Sequence, residues 1–237
     1  MSLISIAALQ GRLELGYKPR QSKEIICYSY DSLPRLSEEV LASSLIELQQ
    51  KVEKHVERFQ PTAIRCMSGP GSYTGLRMVM SFAKGLAVGW KIPLIPITIF
   101  DIARVRLKHE LKENTIIRLG HSVGKNRWIV VESKLDTSVR PSRWTRMSEE
   151  EAHSFLQGEV PGFIILSNHL KPACNSSNFD IDFAEEMLRA DFAEQTGASH
   201  AFSAARISQV EPDYGLVFSA LTTQEQQKYR DRSGIKI

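Results

Sequence analysis

Two rhythms of apolar positions alternate along the first hundred residues. Leu3 to Leu9, Arg12 to Lys18 and Lys23 to Asp31 are short runs rich in Ile, Leu and Tyr, parted by Gly or Pro turns, and they predict a three-stranded meander. The period then lengthens. Leu41, Leu45, Leu48, Val52, Val56 and Phe59 form one stripe of a long helix that opens at Ser37, has Glu38 and Glu39 in its first turn and ends before Pro61. Ala63 to Met67 reads as a buried strand running into Ser68-Gly69-Pro70-Gly71, with a second helix from about Gly75 to Trp90. Leu94 to Ile97 predicts a further strand. Phe100 to Leu111 predicts a third helix whose polar face carries Arg104, Arg106 and Lys108.

The resulting order, βββαβαβα, suits a mixed sheet with packed helices, as in a ribonuclease-H-like or actin-like half. Residues 101–221 are harder to read. Asn114 to Leu119 and Arg127 to Ser133 predict a pair of strands joined through residues 121–126, and Phe163 to Leu166 another strand. Ser148 ahead of Glu149, Glu150 and Glu151 predicts a capped helix to about Gln157, and Ile181 to Ala193 a further helix. Pro172 to Asn178 is loop-like, the tail at 222–237 is polar, and no internal repeat is visible. The expectation is an α/β chain of two subdomains, 1–100 and 101–221, followed by that tail.

A 42% hydrophobic, 24% charged balance over 237 residues is that of a globular chain. The net charge of +3 is too small for a dominant phosphate-neutralising surface, although a local basic patch is compatible with it. Cys27, Cys66 and Cys174 are widely spaced and odd in number, which fits a reducing, cytoplasmic setting better than a disulfide framework or a metal knuckle. The start of the chain does not read as a signal peptide, and no stretch is long enough for a membrane span. None of His55, His109, His121, His153, His169 and His200 is spaced i, i+4 for a helical metal pair, so no metal or cofactor is expected.

Two segments carry candidate chemistry. Gly69, Pro70, Gly71, Ser72, Thr74, Gly75 and Arg77 lie where a strand hands over to a helix; small residues there let free amides approach an anion, or simply make the tight turn that docks the helix. The spacing is neither that of a P-loop nor that of a dinucleotide fingerprint. Gly71 and Gly75 are the expected points of sharp turning or positive φ. In the second helix, Leu76, Val79, Met80, Ala83, Leu86 or Ala87, and Trp90 would face the sheet, while Met78, Phe82, Gly85 and Gly89 form a second stripe. A helix apolar on two sides needs two neighbours: a partner, or the chain's own first helix.

The run Ser-Gly-Pro-Gly-Ser-Tyr-Thr-Gly-Leu-Arg at 68–77, continued by Ser81-Phe82-Ala83-Lys84-Gly85-Leu86-Ala87 and Ile92-Pro93-Leu94, resembles the signature of the TsaB/YeaZ family. Ser37-Glu38-Glu39-Val40-Leu41 and Glu211-Pro212-Asp213-Tyr214 are similar to further family segments. The resemblance implies an actin-like, glycoprotease-like fold. It also implies a contact with a TsaD-like catalytic subunit through the first two helices, placing Leu41, Leu45, Met78, Phe82, Gly85 and Gly89 at the interface. One departure stands out. The family usually has Asp-Thr-Ser at the end of its first strand, whereas this chain has Ala7-Ala8-Leu9-Gln10-Gly11-Arg12, with no carboxylate to orient a metal-bound phosphate.

Three functions compete on this reading. The first is a non-catalytic scaffold for tRNA threonylcarbamoyladenosine formation, paired with a TsaD-like subunit and a TsaE-like ATPase, touching tRNA only through the complex and able to self-associate through the same helices. The second is a nucleotide-dependent kinase or transferase with Ser72 and Thr74 near phosphate. The third, a peptidase, has only the glycoprotease-like name behind it.

Overall fold

The computed structural model describes residues 1–20, 22–31, 38–55, 58–112, 114–135, 144–166, 169–173, 179–189, 204–210 and 212. Strands β1 (Leu3–Leu9), β2 (Arg12–Lys18) and β3 (Ile26–Asp31) form the expected antiparallel meander. Helix α1 (Glu38–Glu53) then crosses to β4 (Ala63–Gly69), which pairs parallel with β1. Helix α2 (Tyr73–Trp90) leads to β5 (Leu94–Thr98), parallel to β4, and so completes a five-stranded sheet of order β3-β2-β1-β4-β5. Helix α3 (Ile99–Lys108) passes to the second half.

There, β6 (Ile116–Gly124), β7 (Arg127–Lys134) and β8 (Thr145–Met147) repeat the antiparallel meander. Helix α4 (Glu149–Leu156) returns the chain to β9 (Gly162–Ile165), which lies parallel to β6. β10 (His169–Pro172) and β11 (Phe179–Asp180) extend a six-stranded sheet of order β11-β10-β9-β6-β7-β8. Both halves therefore share a βββαβ path, a structural repeat that leaves no trace in the sequence. The architecture is the α/β fold of two mixed sheets expected from the element order.

Several boundaries differ from the sequence reading. α1 ends at Glu53, and Phe59 lies beyond it in irregular chain, where its ring packs against Tyr17 at 4.9 Å and Trp90 at 6.0 Å. α3 ends at Lys108, and Arg104 is buried on it rather than solvated, donating to the Lys134 carbonyl at 3.2 Å. β6 continues through His121, because residues 121 and 122 keep register with β7 and Gly124 still pairs with Arg127 after a one-residue shift. The polar tail, the loop at 174–178, Ser37 and all of Glu211-Pro212-Asp213-Tyr214 except Pro212 lie outside the described residues.

Three clusters organise the interior. α1 and α2 cover one face of the first sheet over Ile4, Ile6, Leu13, Leu15, Ile64 and Cys66. α3 sits between the two sheets in a shared core that includes Leu9, Met67, Phe100, Leu119, Val131 and Phe163. α4 closes the outer face of the second sheet against Trp128, Val130 and Ile164. After β11, helix α5 (Phe183–Arg189) returns to the first sheet, and a 3-10 helix at Ala204–Gln209 seats Ile207 beside α2. No helix among the described residues is long and apolar enough to cross a membrane.

Candidate functional site: a cleft between two hairpins and an open helical face

The two meanders bring their first turns together. A cleft of about 720 Å³ is lined by Ala8 to Arg12 from the β1–β2 turn, by Ser72, Thr74, Gly75, Leu76 and Met78 from the start of α2, and by His121 to Gly124 from the end of β6. The hairpin tips are tight for a local reason: Gln10 and Gly11 both take positive φ, at 49° and 84°, as do Gly124 and Asn126 at 148° and 53°. Ser72 caps α2 and accepts from the Gly75 amide at 3.2 Å. The first turn of α2 has no acidic residue, so its partial positive charge faces the cleft uncompensated from within the helix.

The polar groups of the cleft are mostly spoken for. Arg12 donates through Nε to Glu14 at 2.7 Å and pairs with Asp31 at 3.1 Å. His121 is buried, and its Nδ1 lies 3.1 Å from the Ile165 carbonyl, a contact that makes Nδ1 the donor. Burial holds its pKa down to about 4, so the imidazole is neutral at physiological pH. No Asp or Glu is among the described residues that line the cleft. The geometry can receive a small polar group, but it presents no acid or general base of ordinary strength.

The signature loop has a different job at each position. Positive φ falls on Gly69, at 123°, and not on Gly71 or Gly75; Gly71 does lie in the bend ahead of α2, the sharp turn expected there, whereas Gly75 does neither, which corrects the expectation for that glycine. Gly75 is already inside α2, and a Cβ on Gly71 would meet Leu76 at an ordinary 3.5 Å. Strain sits where the strand ends, one residue before the chain turns toward the helix. Arg77 stacks over Tyr73 and donates to its hydroxyl at 2.7 Å, on the outside of α2.

The candidate interface residues separate by depth. Leu41 is fully buried in the core under α1 and α2, while Leu45, Met78 and Phe82 are half-buried at the seam between the helices. Gly85 and Gly89 are exposed, and a Cβ built on either meets nothing within 4 Å. The chain's first helix therefore leaves the Gly85–Gly89 end of that stripe uncovered, while Met78 and Phe82 sit at the seam between the helices. Ile46 (54%) and Val88 (55%) lie exposed on the same two helices, as does Trp90 (37%), which corrects its expected place against the sheet; a groove of about 610 Å³ lies between the first halves of α1 and α2, over Ala42, Tyr73, Thr74, Arg77, Ser81 and Phe82. The exposed glycines of α2 would let the backbone of another helix approach closely.

Sequence reading missed His121 as a cleft residue, since it placed 121–126 in a connection. It also missed the buried polar groups around α5. There the ligating atoms of Cys27, Asp182 and Glu185 converge, but Asp182 accepts the Glu185 amide at 2.8 Å and Glu185 holds Arg189 at 2.9 Å, so both carboxylates serve the helix itself. Burial, reinforced by Asp182 and Glu185, pushes the Cys27 thiol up to about 12, which keeps it protonated and unreactive.

Comparison with known proteins adds to this geometry. A family model described as TsaD, tRNA N6-adenosine threonylcarbamoyltransferase, matches residues 33–132. The fold is that of a solved structure titled as an uncharacterized protein with similarity to peptidase YEAZ from Pseudomonas aeruginosa, with a TM-score of 0.64 at 14% identity over 91% of this chain and 99% of that one. It is also that of YeaZ from Pseudomonas aeruginosa, with a TM-score of 0.61 at 16% identity over 87% and 97%. No curated protein matches by sequence.

Proposed function

We propose that this chain, TsaB/YeaZ-like in its signature and in its fold and matched over residues 33–132 by a family model described as TsaD, is a non-catalytic scaffold subunit in tRNA threonylcarbamoyladenosine formation. In this reading the α1–α2 face docks a TsaD-like catalytic subunit, a TsaE-like ATPase joins the pair, and tRNA is met through the assembly. The observation that carries the reading is the uncovered stretch of α2 at Gly85 and Gly89, where a Cβ would meet nothing within 4 Å among the described residues. Bare helix backbone next to an exposed Val88 fits a surface completed by another molecule. The cleft supports the same reading from the other side, because its described lining offers no carboxylate for a metal-bound nucleotide.

The test is association. Co-expressed with the TsaD-like protein of its own genome, the parent chain should co-purify stoichiometrically. Gly85→Leu should leave thermal melting unchanged, since a Cβ there meets nothing within 4 Å among the described residues, and should abolish co-purification. A variant that melts like the parent and binds at full strength would remove the interface from this face.

The 720 Å³ cleft between the hairpins favours a second reading, a nucleotide-dependent kinase or transferase with Ser72 and Thr74 at the phosphate. Calorimetric titration with MgATP separates the two. The scaffold reading expects neither submicromolar binding nor turnover by the isolated chain.

A further inference from the structure

One polar atom in the wall of the cleft between the hairpins is left unused by the fold. His121 is 1% exposed, and its Nδ1 lies 3.1 Å from the Ile165 carbonyl, which can only accept. The ring proton is therefore on Nδ1, and Nε2 carries a lone pair. That Nε2 has no hydrogen-bond partner among the described residues, yet it is not one of the sealed polar atoms of the interior. The surface it keeps thus opens on the cleft that His121 lines. A rigidly held acceptor at a cavity wall is a recognition point for a molecule that brings a hydrogen.

The complementary group stands at the start of α2. Ser72 Oγ takes the Gly75 amide, whereas the Thr74 amide, in the same turn, has no partner among the described residues. Thr74 is exposed and lines the same cleft, and the first turn of α2 has no acidic residue. A free donor and the positive end of a long helix are therefore offered together, a combination that favours an oxyanion. Arg12, the cation among the described lining residues, is already committed to Glu14 and Asp31. With no Asp or Glu in the described lining, nothing there repels an anion or asks for a metal ion to bridge it. Leu9, Leu76, Met78 and Val123 make much of the remaining wall apolar, so the polar contacts are few and each counts toward selectivity.

We propose that this cleft is a binding site for a small hydroxylated oxyanion taken up without a metal ion, its anionic oxygens on the Thr74 amide at the start of α2 and one of its hydroxyls donating to Nε2 of His121. A carboxylate and a phosphate monoester share this chemistry. The site rests on its own lining and stands whether or not the α1–α2 face docks a partner.

The test is nuclear magnetic resonance on the full, isotope-labelled chain at about pH 7, without magnesium, titrated with glycerate and with glycerol 3-phosphate. At least one should give saturable shifts with Kd of about 1 mM or tighter, and which of them does so tells carboxylate from phosphate. The Thr74 amide and the His121 Nε2 resonance should move, while Nδ1, held by Ile165, stays nearly still. Propionate, which lacks hydroxyls, and glycerol, which lacks charge, should each bind at least about tenfold more weakly. Ser72→Asp retains a good helix cap but sets a carboxylate beside the amide, so it should melt like the parent and bind at least about tenfold more weakly. His121→Asn keeps a donor for the Ile165 carbonyl and deletes Nε2, with the same loss expected. Should His121→Asn fail to fold, the surface variant and the propionate comparison still decide. No saturable shift with either anion, propionate bound as tightly as glycerate and glycerol 3-phosphate, or undiminished binding in either folded variant overturns the site.

Discussion

At Gly69 the chain takes φ of 123°, a conformation open to glycine and costly to a residue with a Cβ, and it does so at the end of a fully buried strand with no room to relax. Gly69→Ala should therefore destabilise the chain by about 1–3 kcal/mol, while Gly71→Ala, whose methyl would rest on Leu76, should stay close to the parent. Denaturant midpoints of the two variants check the contrast. Gly162 is constrained differently. A Cβ there would lie 2.0 Å from the Leu156 carbonyl at the end of α4, so Gly162→Ala forces backbone apart and should lower the melting temperature more than either loop substitution. The signature loop was recognisable as a turn from its small residues, but which glycine bears the unusual torsion depends on where β4 stops and α2 begins, and that boundary is set by pairing with β5 and by the Ser72 cap.

Among the elements, helices with written caps were the most legible. Ser148 and Glu151 form a reciprocal capping box on α4, with the Ser148 amide donating to Glu151 at 2.8 Å, and the Ser-Glu-Glu-Glu run announces it. Ser148→Ala should cost about 1 kcal/mol in a denaturation measurement, confined to a helix that holds only Ala152 and Leu156 in the core. The strands that escaped notice, β8, β10 and β11, have three, four and two residues, too few for an alternation to emerge. They exist because β7 and β9 offer them partners. Likewise the cleft draws on segments more than a hundred residues apart, and only the two pairing patterns bring Gln10 and His121 to one space. The stripe on α2 was legible as a second apolar side, whereas the exposure of its Gly85–Gly89 end depends on how α1 crosses α2, which no local pattern encodes.

For the whole molecule, two buried titrating groups set opposing responses to pH. Glu14 is pushed up from 4.5 to about 7, so the folded chain holds a proton the unfolded chain has lost, and stability falls as pH rises through that window. His121 is pushed down from 6.5 to about 4, so the folded chain lacks a proton the unfolded chain binds, and stability rises over nearly the same window. Each effect is on the order of 3 kcal/mol, and together they should leave the parent's melting temperature almost level between about pH 5 and about pH 6.5. The single variants should uncover the slopes: Glu14→Gln melting higher as pH rises, His121→Gln melting lower. Two parallel, level curves would show that neither group is coupled to folding in this way. The aromatic relay from Tyr17 through Phe59 to Trp90 gives the molecule a further property. Trp128 is buried and Trp144 is packed edge-on against Phe100, so Trp90, in the last turn of α2, is the indole most accessible to solvent. The chain thus carries its own optical probe: acrylamide should quench its emission mainly at Trp90, and any molecule that covers this end of α2 should shift the emission to the blue and shield it from quencher, a titratable signal of docking that needs no label.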